Sequence, residues 1–418
     1  MSRCDIAVYG ATGFAGSYIV RALATSTLFQ KKSIAVAGRN EEKLRQILKE
    51  IADETGEKVD DVSKYTIIVA DSSKDESLSN MAKQAAVIIN AVGPYIIHGD
   101  AVLRAAINNG AHHIDLSGEP ARTEQKYCKM ARDKGVYVVG ACGWDSIPCD
   151  LGVDFLKRNF DGTLTFAETF VTIRSGESGY TLNSGTYDSI ILAIKSIREG
   201  NQRALTRSIM PQEMPKAKYR PPRRFPLWKV SENAHTAWSI PFVGSDKSIV
   251  DRSQYYDYHV NGKKPVQINT YFSFRSFCIS VLFSMWLGIF SFFALFSPTR
   301  KILHAHPDGI SFGVFKKDGP TKEQIKDTSF DYYFFGTGWG AGEAIDEERP
   351  AKKMGAVCHG ADPAYVATAA CISAAALALI DDKEKLPKEG GVFTTASAFR
   401  DTRIYEYLKS LGVTFEII

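Results

Sequence analysis

The sequence predicts an α/β protein: an N-terminal doubly wound parallel sheet, then a second, α+β domain that carries an uncharged apolar segment. Three observations carry this prediction. Short apolar strands alternate with helical stretches over residues 1–150, a glycine-rich turn joins the first strand to the first helix, and the apolar periodicity shifts towards two after Leu151. At 418 residues the chain has room for two or three domains of about 150 residues each. Its 51 Lys and Arg stand against 47 Asp and Glu, a net charge of +4, and 44% of its residues are hydrophobic. That apolar content excludes disorder as the dominant state. A mean hydropathy of −0.15 excludes a polytopic membrane protein, and the balanced charge argues against nucleic acid as a partner.

The first strand, Asp5–Tyr9, runs into Gly10-Ala-Thr-Gly13-Phe-Ala-Gly16, and Ser17–Thr25 has helical character. Strand, glycine turn and helix in this order form a dinucleotide cradle. Gly10 permits the tight turn, Gly13 lets backbone N–H groups approach a pyrophosphate, and Gly16 lets helix and strand pack closely. The helix N-terminus adds partial positive charge. The candidate contacts here are Gly10, Thr12, Gly13, Phe14, Ala15 and Gly16.

The second strand, Ser33–Ala37, ends in Gly38 and Arg39, where an NAD site would carry Asp or Glu for the ribose 2′-hydroxyl. A guanidinium there can pair with a 2′-phosphate, so NADP is favoured over NAD. The alternative is an Arg39 that reaches only solvent, with either cofactor accepted. The third strand, Tyr65–Ala70, ends at Asp71, which either meets the adenine edge or caps the next helix. Ala86–Ile89 leads into Asn90-Ala-Val-Gly93-Pro94-Tyr95, small residues suited to pass beside the nicotinamide ribose. A helix from about Asp100 to Asn109 and the strand Val136–Val139 complete a Rossmann-type sheet.

Hydride transfer asks little of the protein beyond orientation and a proton source. Tyr95 and His98 follow directly on the Gly-Pro turn and are the candidate donors; Tyr95 packing beneath the cofactor ring is the alternative. Asp115, Ser117, Glu119, Asp145 and Ser146 lie on the neighbouring strand ends, with loop-holding the favoured role for Asp115 and Glu119. No metal site is expected: His304 and His306 stand two apart without a third ligand nearby. The seven cysteines show no Cys-x-x-Cys pair and read as free thiols.

Together these segments resemble the saccharopine dehydrogenase-like oxidoreductases. The carrying motifs are Gly-Ala-Thr-Gly-Phe-Ala-Gly at 10–16, Ala-Gly-Arg at 37–39, Asn-Ala-Val-Gly-Pro-Tyr at 90–95, Asp-Leu-Ser-Gly-Glu at 115–119 and Gly-Trp-Asp-Ser-Ile-Pro-Cys-Asp at 143–150. The resemblance extends along the whole chain and is to the branch that includes the bacterial trans-acting enoyl reductases of glycolipid assembly. It implies a nicotinamide cofactor, a Rossmann domain over 1–150, a sheet-based substrate domain over 151–340, and a C-terminal stretch, 341–418, that returns to the first domain.

Within the second domain, Ser276–Thr299 carries no charge and is apolar on every helical face, flanked by Arg275, Arg300 and Lys301. Some 20 such residues can cross a bilayer core, but a span would strand the returning C-terminal stretch on the far side. A hydrophobic hairpin or helix pair dipping into one leaflet, or into a lipid-droplet monolayer, is the favoured reading; burial in a homodimer interface is the alternative. Upstream, the proline-rich stretch Pro211–Asp246 mixes Lys216, Lys218, Arg220, Arg223, Arg224 and Lys229 with Tyr219, Phe225, Trp228 and Trp238. On a mobile loop such a mixture suits an anionic lipid surface, and equally a solvated loop over the substrate domain.

The expected protein is therefore an NADP-dependent oxidoreductase that reduces a C=C or C=O bond of a lipid-like substrate. It would sit on the cytoplasmic face of a membrane or lipid droplet, with a mitochondrial location the alternative. Two other functions stand beside it: a cytosolic dehydrogenase of saccharopine type, and a nucleotide-binding lipid-droplet scaffold without turnover.

Overall fold

The computed structural model describes residues 3–55, 64–118, 120–200, 202–215, 218–232 and 235–418. Strands Cys4–Tyr9, Ile34–Gly38, Thr66–Val69, Ala85–Asn90, His112–Asp115 and Tyr137–Val139 pair in parallel, in the order third, second, first, fourth, fifth, sixth. This is the doubly wound Rossmann order, with its switch point between Cys4–Tyr9 and Ala85–Asn90. Both faces of the sheet are covered, as a parallel sheet requires. Ile6 and Val8 pack into one layer with Ile19 and Leu23, while Ala7 and Tyr9 pack into the other with Leu78 and Val102.

A second, mixed sheet runs in the order Thr414–Ile417, Lys352–Ala361, Ser329–Gly340, Gly162–Arg174, Gln267–Phe274, His235–Pro241, Trp228–Glu232. The helix Ile147–Asn159 joins the two sheets and contains position 150. It lies so close on the second sheet that a Cβ at Gly152 would meet the Phe334 ring at 2.1 Å.

The chain after residue 340 divides between the sheets. The helix Pro363–Asp381 packs on the first helix, and Gly391–Phe393 extends the first sheet beside Tyr137–Val139. Lys352–Ala361 and Thr414–Ile417 belong to the second sheet.

The uncharged segment forms one helix, Phe277–Ala294, with Ser276 accepting the N–H of Ile279 at its start. At ~1.5 Å per residue its 18 residues extend about 27 Å. Only 17% of it is buried, against 83% of the comparably apolar helix Pro363–Asp381. A shorter helix, Ser297–Ala305, packs back on it, and Arg300 donates to the terminal carbonyls of Ala294 and Leu295.

The proline-rich stretch is more tied down than a mobile loop. Arg224 forms a two-pronged ion pair with Glu168 at 2.8 and 3.1 Å and lies 4.0 Å over the Trp228 ring. Lys218 donates to the Asp346 carbonyl, and Trp228 and Trp238 belong to the edge hairpin. Phe225, Arg220, Arg223 and Lys229 remain exposed, whereas Lys216 lies outside the described residues.

Candidate active site

The glycine turn sits at the switch point, and its geometry fits a dinucleotide. Gly10 has a φ of 89°, in the left-handed region, and a Cβ there would meet Val92 Cγ2 at 2.7 Å. A Cβ at Gly16 would meet the Gly10 carbonyl oxygen at 2.1 Å. Helix Phe14–Thr25 starts at Gly13 with no side chain capping it, which leaves its first N–H groups available to an anion. Thr12 and Gly13 are exposed on the rim, and Phe14 and Ala15 line the adjoining cavity. Phe14 is held edge-on by Tyr365 of the returning helix, at 4.5 Å between ring centres.

Across the switch point, Asn90 is fully buried, and its Oδ1 accepts the Val92 N–H at 3.1 Å. Its Nδ2 is buried without a partner among the described residues. Gly93 lines the same cavity.

Arg39 is exposed at the end of its strand and makes no hydrogen bond among the described residues. Asp71 lies beside it and does not cap the following helix, whose N-cap is Lys74. Its Oδ1 instead accepts the Ser73 N–H at 3.0 Å and the Ser73 hydroxyl at 2.9 Å. The Ser73 N–H, then its hydroxyl, with Lys74 and Arg39 nearby, hold the Asp71 carboxyl below the usual range.

The two proton-donor candidates part company. Tyr95 opens the helix Tyr95–Asn108, lines the cavity, and donates its hydroxyl to the Asn90 carbonyl at 3.1 Å. The ring edge is half-exposed while the hydroxyl lies deep, and burial, reinforced by Asp115, pushes the phenol well up. His98 lies one turn further on, is absent from the cavity wall, and has Nδ1 3.4 Å from the Ser72 hydroxyl. The helix begins at Tyr95 rather than near Asp100, so Tyr95 and His98 both lie in its first turn, with His98 directed to Ser72.

Asp115 holds a loop. Its Oδ1 accepts the N–H groups of Ser117, at 2.9 Å, and of Ala141, at 3.3 Å, fixing Ala141 at a φ of 57°. Glu119 lies outside the described residues. His304 pairs with Asp188 at 2.6 Å. Cys142 and Cys149 are buried, which pushes both thiols up and away from nucleophilic use.

A cavity of about 2460 Å³ begins at these residues. Its inner wall carries two further buried donors without partners among the described residues, Ser117 Oγ and Trp144 Nε1. Asp145 also faces it. The residue keeps exposed surface, yet loss of water around its carboxyl pushes it up to about 6 against a 3.5 Å contact from the Ser245 hydroxyl. The rise is largest when the cavity holds apolar matter in place of water. At its far end the cavity is walled by the apolar helix, through Leu282, Phe283, Trp286 and Phe290. Sequence reading had no signal for this continuity, since the wall is assembled from segments over a hundred residues apart.

A Rossmann sheet with an uncapped glycine turn at its switch point is the framework of a dinucleotide-binding domain. Comparison with known proteins agrees: residues 6–139 match the NADP-binding domain of saccharopine dehydrogenase, so NADP(H) is the cofactor. Over 423 residues the chain is 46% identical to a Caenorhabditis elegans "Lipid droplet localized protein", covering 100% of this chain and 99% of the relative. It is 39% identical over 421 residues to the human "Saccharopine dehydrogenase-like oxidoreductase", covering 99% of this chain and 97% of that one. The chain belongs to the saccharopine dehydrogenase-like oxidoreductase family. Saccharopine dehydrogenase (L-Glu forming) from Saccharomyces cerevisiae shares the fold over 99% of both chains, with a TM-score of 0.53 and 13% identity.

Proposed function

We propose that this protein uses NADPH to reduce a C=C or C=O bond of a lipid-like substrate while attached to a lipid droplet or membrane surface from its cytoplasmic side. The observation that carries this reading is the single cavity joining the glycine turn to the apolar helix. Bound NADPH supplies the hydride.

In this reading Gly10, Thr12, Gly13, Phe14, Ala15 and Gly16 hold the pyrophosphate, Arg39 the 2′-phosphate, and Asn90 and Gly93 the nicotinamide ribose. Asp71 stays ionised and keeps the Ser72–Lys74 turn in shape beside the adenosine. Tyr95 keeps a proton at the cavity wall at every ordinary pH, with Asn90 O as its resting acceptor. Asp145, pushed up to about 6, is a second proton-holding group on the same wall. Residues 1–150 with the returning helix and strand serve the cofactor, and 151–340 serve the substrate.

The surface attachment rests on the exposed apolar helix and its basic flanks. Phe277, Leu282, Met285 and Phe292 are each between 48% and 65% exposed. Such a face on water demands a partner. Arg275, Lys301 and the exposed Lys229 surround it, as suits an anionic lipid surface. The name of the nematode relative supports a droplet.

A polyanionic amino-acid substrate is less well served. Of the cavity-wall arginines, Arg174 is engaged with Asp331, Arg252 through one nitrogen with Glu124, and Arg122 with the Ser196 hydroxyl, which leaves Arg275 at the start of the apolar helix. The test is NADPH consumption by the full chain on triolein droplets coated with phosphatidylcholine and phosphatidylserine. Cellular lipid fractions serve as substrate, with mass spectrometry for a lipid that gains two hydrogens. Turnover of saccharopine instead would overturn the lipid reading. Droplet attachment and NADPH binding with no lipid reduced would identify a scaffold.

A further inference from the structure

We propose that the lipid enters the cavity sideways from the lipid phase, through a portal between the apolar helix Phe277–Ala294 and the loop carrying Phe312. This rests on the reading of the cavity as a lipid site and adds the route and the substrate class, an uncharged long-chain lipid.

The helix is a wall one side chain thick. Ile279, Leu282, Ile289 and Phe293 line the cavity and are at the same time 55%, 65%, 56% and 42% exposed. Opposite them Phe312 also lines the cavity and is 85% exposed, at a φ of 54°. An aromatic residue held in the left-handed region, and turned outward, carries a local backbone cost that a purely structural loop has no need of. The loop is anchored to the helix by the Trp286 indole, which donates to the Ile310 carbonyl at 2.9 Å.

Along the helix the cavity lining is apolar apart from Ser276 at its start and Ser291. Ser280 and Ser284 return their hydroxyls to the helix backbone, to Phe277 O and Ser280 O, both at 2.7 Å. A charged headgroup passing here would be desolvated without compensation, which selects an uncharged lipid. Lys301 and Lys229 are exposed beyond the helix end and on the neighbouring hairpin, where Trp238, opposite Lys229, packs on Phe277 at 4.7 Å, while Arg275 at the helix start also lines the cavity. The portal therefore opens within the face that the basic rim would hold against an anionic lipid surface. The cavity behind it, about 2460 Å³, is at least twice the roughly 300–1,000 Å³ of a small-molecule pocket.

The experiment follows energy transfer from tryptophan to a pyrene-labelled diacylglycerol as it loads into the full chain. The probe is offered either from triolein droplets coated with phosphatidylcholine and phosphatidylserine or from neutral detergent micelles. Leu282→Asp and Phe312→Asp alter the portal; Met285→Asp and Phe292→Asp alter the outer face, since neither residue lines the cavity. NADPH affinity reports that each variant is folded. The expected result is that portal variants load roughly tenfold or more slowly from both sources, because a carboxylate in an apolar passage is costly. Outer-face variants should cease to float with droplets yet load from micelles at the unaltered rate. Portal variants that load from droplets at the unaltered rate would overturn the portal. So would an intact chain that forms dimers and ignores droplets while the outer-face variants are monomers, because the face would then join two copies. If droplets bind but no probe loads into the intact chain from either source, the lipid reading of the cavity itself fails.

Discussion

Gly16 lies directly beneath the carbonyl of Gly10, so that a Cβ on Gly16 would stand 2.1 Å from that oxygen. Backbone is the obstacle here, and it cannot rotate aside as a side chain would. Gly16→Ala must therefore push the first helix away from the turn, at about 1–3 kcal/mol for the overpacking. The same displacement moves the N–H groups meant for the pyrophosphate. NADPH affinity, read by fluorescence titration, should fall by roughly tenfold or more, with a lowered melting temperature.

Arg39 tests the cofactor preference separately. Its guanidinium is exposed and makes no hydrogen bond among the described residues, acting on Asp71 only through its charge, so replacing it disturbs little of the fold. Arg39→Glu should weaken NADPH by roughly 10- to 100-fold, the equivalent of one charge-assisted bond lost and a repulsion gained. NADH affinity should hold or improve, because Glu can accept from the 2′-hydroxyl. Unchanged affinities for both would show that the 2′-phosphate is bound elsewhere.

How far these features were legible in the sequence depended on whether their causes were local. The glycine turn was readable because three glycines within seven residues answer one local constraint. Gly336, Gly338 and Gly340 fall inside the strand Ser329–Gly340, although glycines at such spacing suit a turn. In the structure they permit close approach: a Cβ at Gly338 would meet the Thr163 carbonyl oxygen at 2.2 Å, and one at Gly336 would meet Leu164 at 2.6 Å. The helix expected from about Asp100 already begins at Tyr95 and runs through Gly99. Gly391–Phe393 pairs with Tyr137–Val139 about 250 residues away, a distance over which periodicity is silent. The cavity is the extreme case, since it depends on how the two sheets are placed.

Stability should depend on pH through Asp150. Its Oδ2 accepts Ala396 N at 2.7 Å, the Thr395 hydroxyl at 2.7 Å and the Ser253 hydroxyl at 2.8 Å, while Oδ1 is buried without a partner. Burial outweighs those bonds and pushes the carboxyl up to about 6. A folded value above the unfolded one, about 3.9, means that the native state binds the extra proton between the two. The group therefore favours folding at low pH, and that advantage is lost as pH rises from about 4 to 6. Asp150→Asn keeps an acceptor for the three donors and removes the charge. It should stabilise the protein at pH 7.5 by up to about 3 kcal/mol and have little effect at pH 4, as measured by urea unfolding at both. A variant destabilised equally at both would show that a neutral group cannot replace the carboxylate.

Tyr95 and His98, adjacent in sequence argument, should separate in kinetics. Tyr95 lines the cavity and His98 does not. If protonation of the substrate draws on Tyr95, Tyr95→Phe should lower kcat by roughly 10²-fold or more with NADPH affinity within a factor of about two. His98→Ala should leave kcat nearly unchanged, its loss being one long contact to Ser72 at 3.4 Å. The Tyr95→Phe enzyme retains Asp145 on the same wall, raised to about 6. Its residual activity should fall as pH rises through about 6, whereas that of the intact enzyme should not, because the Tyr95 phenol stays protonated far above neutrality. A pH profile of kcat for the two enzymes decides it. Identical profiles and rates would remove Tyr95 from the chemistry and leave it as packing beneath the cofactor ring.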